Sequence, residues 1–276
     1  MIEVDLIQKR YLQENSIRFI AAAAFEKVKE LKYLDLSYNE LFTLESGLFH
    51  GLEKLTYLDL SHNRLVFLNN DFFKGLSSLQ YLSLNNNGIK VIPESFFEEL
   101  KELKALWLFE NELTELRGNS FRGLENLSYL SIGRNKIFSI SESAFRGLPL
   151  LAFLRLSNNR LNSVDANMFK DLVNLQMLFL GSNSITLIAK NSFTELTKLT
   201  YLDLTENSLA VIEPDAFKDA FPYTNLSITP PSQQFHCCSR LIYQNVITFT
   251  SKLCSYNGVA VDYSSFPRIF CDHDNL

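Results

Sequence analysis

The side chains with the most distinctive chemistry in this sequence are four cysteines near its carboxyl end. Cys237 and Cys238 are adjacent, Cys254 and Cys271 complete a group that spans 35 residues, and the first 236 positions contain no cysteine. Such thiols can form disulfides, bind zinc or stay reduced. Adjacent cysteines lack the usual C-x₂₋₄-C spacing of zinc sites, and a bridge between neighbours would be strained. We therefore expect each of the pair to bond separately with Cys254 or Cys271, in either order, in an oxidising compartment.

Catalytic chemistry finds little support in the remaining residues. The four histidines are His50, His62, His236 and His273, and only His62 is predicted to lie near a functional face. No serine or cysteine has a histidine and a carboxylate at a recognisable spacing for nucleophilic catalysis, and no glycine-rich loop could hold a phosphate. We expect no enzyme activity, no metal site and no cofactor.

The elements that position these side chains come from an internal repeat. Asparagine recurs every 24 residues from Asn15 to Asn207, and phenylalanine recurs with the same step from Phe25 to Phe217, without insertion or deletion. The nine units follow the consensus LxxLxLxxNxLxxLxxxxFxxL, as residues 55–76 illustrate with LTYLDLSHNRLVFLNNDFFKGL. A fixed period in this range is the signature of a solenoid.

This repeat resembles the extracellular, 24-residue type of leucine-rich repeat, over roughly residues 5 to 220. The resemblance implies an α/β fold: a curved, horseshoe-shaped solenoid with a parallel β-sheet on the concave face and 3₁₀ or extended segments on the convex face. The residues agree, because the period of two in LxLxxN directs Leu58 and Leu60 inward and Tyr57, Asp59 and Ser61 outward.

The two invariant columns are predicted to be structural. A buried asparagine amide can bond backbone groups on two neighbouring coils, since it offers two donors and an acceptor. The phenylalanine column is expected to pack the convex side. The first unit is degenerate, because Arg10 occupies the position of Leu34 and Leu58.

Binding is the function that the outward-facing columns indicate. They carry aromatic residues where small polar ones would suffice, and rigid exposed aromatics are typical of interface hot spots. Tyrosine ladders also stabilise sheets by cross-strand contact, so this structural interpretation stays open. The candidate ligand-binding residues are Tyr33, Asp35, Tyr57, Asp59, Tyr81, Trp107, Phe109, Tyr129, Arg155, Phe179, Tyr201 and Asp203.

The charges of the same surface refine the partner. Asp35, Asp59, Glu110, Asp203 and Glu206 outnumber Arg134 and Arg155, and the whole chain carries a net charge of −5. We therefore expect a secreted protein or peptide with a basic patch. An acidic chain is not suited to nucleic acid.

The end of the repeat divides the chain. The segment Phe221–Ile228 supplies one more strand, and Pro230 and Pro231 stop the pattern, because proline cannot donate to a further ladder. We predict a solenoid of about nine repeats over residues 1–229 and a small disulfide-stapled cap or hinge over residues 230–276.

The sequence at this junction resembles that of leucine-rich-repeat G-protein-coupled receptors. The resemblance is carried by Pro231, Ser232, His236, Cys237 and Cys238. It implies that the cysteine pair is tied by disulfides to Cys254 and Cys271, just before a membrane domain that would follow Leu276. The continuation after Cys238 departs from the family pattern, and two extra residues separate Ser232 from His236.

Location and processing follow from this interpretation. No signal peptide and no apolar stretch of membrane-spanning length occur in the chain as given, so we expect the extracellular ectodomain of a membrane protein, recorded without its amino-terminal segment. Asn126 and Asn225 fit the N-glycosylation sequon. The alternatives are a secreted or membrane-anchored adhesion, matrix or Toll-like protein, and an intracellular scaffold with four free thiols.

Overall fold

The computed structural model describes residues 8–213 and 215–217, together with the backbone of three short segments near the carboxyl end. The described residues form short strands joined by turns, and none of them is α-helical. In chain order the strands are β1 (Lys9–Tyr11), β2 (Tyr33–Asp35), β3 (Tyr57–Asp59), β4 (Tyr81–Ser83), β5 (Ala105–Trp107), β6 (Glu115–Leu116), β7 (Tyr129–Ser131), β8 (Ser139–Ile140), β9 (Phe153–Arg155), β10 (Ser163–Val164), β11 (Met177–Phe179), β12 (Leu187–Ile188), β13 (Tyr201–Asp203), β14 (Val211–Ile212), β15 (Asn225–Ser227), β16 (Ser255–Tyr256) and β17 (Val259–Ala260).

One parallel sheet of ten strands runs the length of the repeat. Its order is β1-β2-β3-β4-β5-β7-β9-β11-β13-β15, so each main strand pairs with that of the next unit. The register is a constant shift of 24 residues, as in Leu58↔Leu82 and Leu82↔Leu106. The predicted last strand is confirmed, since Leu226 pairs in register with Leu202. The predicted solenoid fold with a parallel concave sheet is thereby confirmed.

The return path of each coil uses turns and short extended pieces. Two-residue strands after the conserved asparagine form two smaller parallel groups, β6-β8 and β10-β12-β14. On the opposite side, bonds from residue i to residue i−3 recur, for example from the Leu52 amide to the Phe49 carbonyl at 3.1 Å. Such 3₁₀-type turns are short and fit a tight coil.

Leucines and phenylalanines fill the interior between these two sides. Leu58, Leu82 and Leu106 are fully buried, as are their counterparts in the other units from Leu34 onward. The phenylalanine column is buried too, and Phe121 and Phe145 stack with their ring centroids 6.1 Å apart and their planes 2° from parallel. Arg10 occupies the leucine position of β1 and pairs with Leu34, so the first coil lacks this apolar contact.

The asparagine column joins successive coils by hydrogen bonds. The Asn135 amide donates to the Leu108 carbonyl of the preceding coil at 2.9 Å and to the Ile132 carbonyl of its own coil at 3.1 Å. Its carbonyl oxygen accepts from the Leu113 amide at 3.0 Å. The same pattern holds from Asn39 to Asn207, whereas the Asn15 amide on the first coil donates, among the residues that the structure describes, only to the Leu12 and Gln13 carbonyls. The predicted bridging role is confirmed.

This ladder predicts that two members of one column differ in stability. Asn135→Ala leaves the buried Leu113 amide without a partner and removes one of the two side-chain donors to the Leu108 carbonyl, so we expect the free energy of unfolding to fall by about 2–3 kcal/mol. Asn15→Ala, the matched control on the exposed first coil, should cost less than about 1 kcal/mol. Urea unfolding followed by circular dichroism measures both. Equal losses would contradict the bridging role.

Candidate ligand-binding surface

The predicted binding residues share one face because of the strand register. In each main strand from β2 to β13 the central leucine is buried, and the residue on each side of it points away from the core. The twelve predicted ligand-binding residues therefore form a single surface, which we call the concave surface. Tyr81 is 39% exposed and the other eleven are half-buried. Trp107 and Phe109, which stand where most repeats carry a small polar residue, are among those that reach it.

Aromatic rings line this surface in two runs. The first joins Tyr11, Tyr33, Tyr57 and Tyr81, and its closest pair, Tyr33 and Tyr57, stacks with centroids 4.4 Å apart. The second runs from Trp107 through Tyr129 and Phe153 to Phe179 and Tyr201. Ala105 takes the aromatic position on β5 and lies between the two runs. Rings held by their neighbours have little rotamer freedom left to lose on binding.

Three of the predicted aspartates are held in place by their own strands. Oδ1 of Asp35 accepts from the Ser37 amide at 3.0 Å and from the Ser37 hydroxyl at 2.7 Å. Oδ1 of Asp203 accepts from Thr205 in the same way, and Oδ1 of Asp59 accepts from the Ser61 amide at 2.8 Å. One oxygen of each carboxylate is thus engaged, which orients the second oxygen before any ligand arrives.

Tyr57 and Asp59 are coupled through space. The Tyr57 hydroxyl donates to Oδ2 of Asp59 at 3.4 Å. Burial, followed by the negative charge of Asp59, raises the pKa of Tyr57 far above its usual range. The pKa of Tyr33 is also raised, first by burial and then by Asp35. Both phenols therefore stay neutral hydrogen-bond donors on the concave surface at physiological pH.

Phe109 is the centre of a cationic cluster. The guanidinium carbon of Arg134 lies 5.4 Å from its ring centroid and that of Arg155 lies 5.5 Å from it, both within cation–π range. Arg134 also forms an ion pair with Glu110 at 2.6 Å. The Phe109 amide donates to Oδ1 of Asn85 at 2.7 Å, which holds this stretch of backbone.

The ion pair between Glu110 and Arg134 alters the charge balance expected from the sequence. Glu110 and Arg134 neutralise each other, so each loses much of its value as a free surface charge. Glu206 accepts a hydrogen bond from the Ser182 hydroxyl. Asp35, Asp59 and Asp203 then remain as the acidic side chains of the strands themselves, with Arg155 as their cationic counterpart.

The remaining predicted sites stand apart from this surface. Asn126 is half-buried at the edge of a coil, where its amide donates to the Lys101 carbonyl at 2.9 Å. Asn225 belongs to β15, but its side chain lies outside the described residues, as do Cys237, Cys238, Cys254 and Cys271. Glycosylation, disulfide pairing and the 230–276 cap therefore stay predictions.

Several residues of the surface were not among the predicted ligand contacts. Phe153 bridges two aromatic neighbours, and Met177 is 36% exposed beside it. The serine or threonine two residues after each aspartate was also missed, although the spacing in DLS and DLT puts both side chains on one face of a strand. Gly133 was missed as well, because a residue without a side chain gives no signal of contact.

Within the described part of the chain, nothing points to catalysis. No group of three histidine, cysteine, aspartate or glutamate side chains there could hold a metal ion. None of the described residues belongs to a helix with the length and apolar character required to cross a bilayer.

The repeat and its open aromatic sheet define a class, the solenoid proteins that present a concave parallel sheet. Residues 8–65, 53–113, 101–161, 151–209 and 180–220 match the leucine rich repeat family, and the chain belongs to that family. Among the curated proteins, no sequence matches it.

Solved structures agree with this fold. The chain is similar to the leucine-rich repeat protein LIC12759 of Leptospira interrogans, with 28% identity and a TM-score of 0.71 over 82% of this chain and 55% of that one. It is similar to TLR13 in a complex with ssRNA13, with 22% identity and a TM-score of 0.57 over 83% of this chain and 45% of that one. The chain thus spans about half the length of these structures, and the likeness to TLR13 concerns the fold alone.

The coupling of Tyr57 to Asp59 predicts a dependence of stability on pH. A phenol whose pKa is raised by folding stabilises the protein fully below its unfolded pKa of about 10, and this contribution is lost as the pH rises further. We expect Tyr57→Phe to lose less stability than the wild type between about pH 8 and about pH 11. Asp59→Asn should behave in between. Urea midpoints at the two pH values test this, and a parallel fall in all three proteins would contradict it.

Proposed function

We propose that the concave surface binds a secreted protein or peptide, and that the chain is the ligand-binding part of a leucine-rich-repeat receptor. The observation that carries this proposal is the line of half-buried aromatic rings that begins at Trp107, which is open on one side and held by contacts between neighbouring rings on the other. A preorganised aromatic surface contributes binding energy at a low cost in conformational entropy.

The charge of the surface supports a partner with a basic patch. Asp35 and Asp59 lie on neighbouring strands in register, and Asp203 lies near the other end of the sheet. Their oriented carboxylates suit lysine or arginine side chains of a ligand. The net charge of −5 argues against RNA as the partner, although TLR13 was crystallised with an RNA. Binding to phosphate backbones requires clustered cations.

The type of receptor is a further part of the proposal. The sequence from Pro231 to Cys238 resembles the junction of leucine-rich-repeat G-protein-coupled receptors, and a cysteine-clasped hinge there would pass the bound state to a membrane domain. We place the protein at the cell surface, with its disulfides formed and Asn126 and Asn225 glycosylated. The alternative is an adhesion, matrix or Toll-like protein. Seven apolar spans encoded after Leu276 would support the receptor, and one span or none would support the alternative.

Selection from a random peptide library tests the binding function directly. The wild type serves as bait, and Trp107→Ala serves for counter-selection. We expect enriched peptides that bind the wild type at least about tenfold more tightly than Trp107→Ala, since loss of an aromatic hot spot costs about 2 kcal/mol or more. Phe67→Ala is the matched control, because Phe67 is 81% exposed but lies beyond the sheet. Equal losses in the two variants would contradict the assignment of the surface.

Charge steering gives a second prediction for the same peptides. Replacing both Asp35 and Asp59 with lysine reverses the potential at one end of the concave surface, so we expect slower association at low salt and little change at high salt. Stopped-flow fluorescence or surface plasmon resonance at two ionic strengths measures this. An unchanged association rate at low salt would show that the ligand needs no basic patch.

A further inference from the structure

Arg155 stands out among the charged residues of the concave surface. Along the main strands from β2 to β13, the positions beside the central leucine carry aspartate, serine, alanine, methionine or aromatic residues, and Arg155 is their one cation. No carboxylate of the described residues lies within ion-pair distance of it. Its Nε is buried and meets no acceptor among those residues, while the side chain as a whole is half-exposed.

Arg134 provides an internal comparison. Both arginines contact the ring of Phe109 at nearly the same distance, 5.4 Å and 5.5 Å. Arg134 has its anion, Glu110, at 2.6 Å, whereas Arg155 has only the ring. Cation–π contact offsets part of the cost of removing a guanidinium from water, but it supplies no acceptor for the N–H groups. The arrangement therefore leaves Arg155 ready for an anion from outside the chain.

A glycine in the backbone beneath the cluster leaves room for the Phe109 ring and the Arg155 guanidinium. Gly133 occupies the position of Ser37, Ser61 and Ser157 in other coils. A Cβ atom there would lie 3.3 Å from Cδ2 of Phe109, 3.5 Å from Nε of Arg155 and 3.0 Å from the Ser157 carbonyl oxygen. The absence of a side chain lets the ring and the guanidinium share one shallow space between β7 and β9.

We propose that Arg155 is the subsite for a carboxylate of the bound protein or peptide, seated beside Phe109. Phe179 is the register neighbour of Arg155 on β11, and its ring packs against Phe153 and Tyr201. Arginine binds carboxylates through two parallel hydrogen bonds, and its terminal nitrogens form the part that Phe109 leaves accessible. This inference rests on the proposed binding function and specifies its ligand.

The strand order predicts how the charged groups of the ligand are spaced. From β3 to β9 there are four strand steps, and from β9 to β13 there are two. At about 4.8 Å a step, the carboxylate lies about 19 Å from the basic group at Asp59 and about 10 Å from the one at Asp203. An extended peptide covers these distances with about six and about three residues. Because a basic group is expected on both sides, the acid is a side chain rather than the chain terminus.

The same neighbours argue against a polyanion at Arg155. Asp203 leans over Gly181, where a Cβ would lie 2.7 Å from its Oδ2, and Asp59 belongs to the same sheet. A phosphate chain that reached Arg155 would have to pass these carboxylates, and like charges at such separations repel. A ligand with a single carboxylate flanked by basic groups is attracted by Arg155 and by both aspartates.

Titration with sodium acetate tests the subsite without any peptide. The Nε–Hε resonance of Arg155 is assigned by its disappearance in Arg155→Lys and followed by NMR while acetate replaces chloride at constant ionic strength. We expect a saturable shift whose half-point lies about tenfold below that of the other described arginines, because among them Arg155 alone has a buried Nε held against a ring and no ion-pair partner. Arg134→Lys, the matched control at the same ring, should leave this titration intact.

Two results would overturn the proposal. One is a linear response of Arg155 equal to that of Arg134, which would mean that no carboxylate site exists, even if peptides bind elsewhere on the surface. The other comes from a parallel titration with inorganic phosphate: tighter binding of phosphate than of acetate would assign the subsite to a phosphorylated or nucleic-acid partner. A saturable acetate response combined with failure of every peptide selection would leave the subsite standing and reject the proposed function instead.

Discussion

The asparagine ladder is the constraint on which the rest of the structure depends. A coil of 24 residues has too few internal contacts to hold its turns, and each asparagine amide supplies donors and an acceptor to backbone groups that leave the sheet. Because the Asn135 amide bonds both Leu108 and Ile132 and accepts from Leu113, it fixes the coil to its neighbour and to itself at once. Loss of register at one coil would leave buried backbone groups unpaired, which is costly. The fixed register in turn places equivalent side chains side by side along the concave surface.

Much of this architecture could be predicted from the sequence because the constant 24-residue repeat determines it. The repeat predicts the strand columns, the buried leucines, the stacked phenylalanines and the bridging role of asparagine. The pairing of Glu110 with Arg134 was also predictable, since a separation of 24 residues makes them neighbours, as it does for Glu30 and Lys54. The sequence-based charge count treated Glu110 and Arg134 as independent, and so it overlooked that the register pairs them.

Other features depend on side-chain conformations that no period encodes. The way in which Phe109 lies across Gly133 and receives two guanidinium groups follows from local packing, as does the hold of Ser37 on Asp35. These details change the kind of ligand that the surface is expected to bind. From β2 to β13 it is an ordered array of carboxylates and rings in which Arg155 is the single cation, and this array favours a ligand in which basic groups flank an acidic one.

The most direct measurement of the binding surface uses Trp107, which is the single tryptophan of the chain. Its fluorescence reports on the middle of the concave sheet without any label. Quenching by acrylamide is measured with the protein alone and with a saturating peptide from the selection. If the concave surface is the binding site, the bound peptide covers the indole and the quenching constant falls. Unchanged quenching at saturation would place the ligand elsewhere and contradict the account.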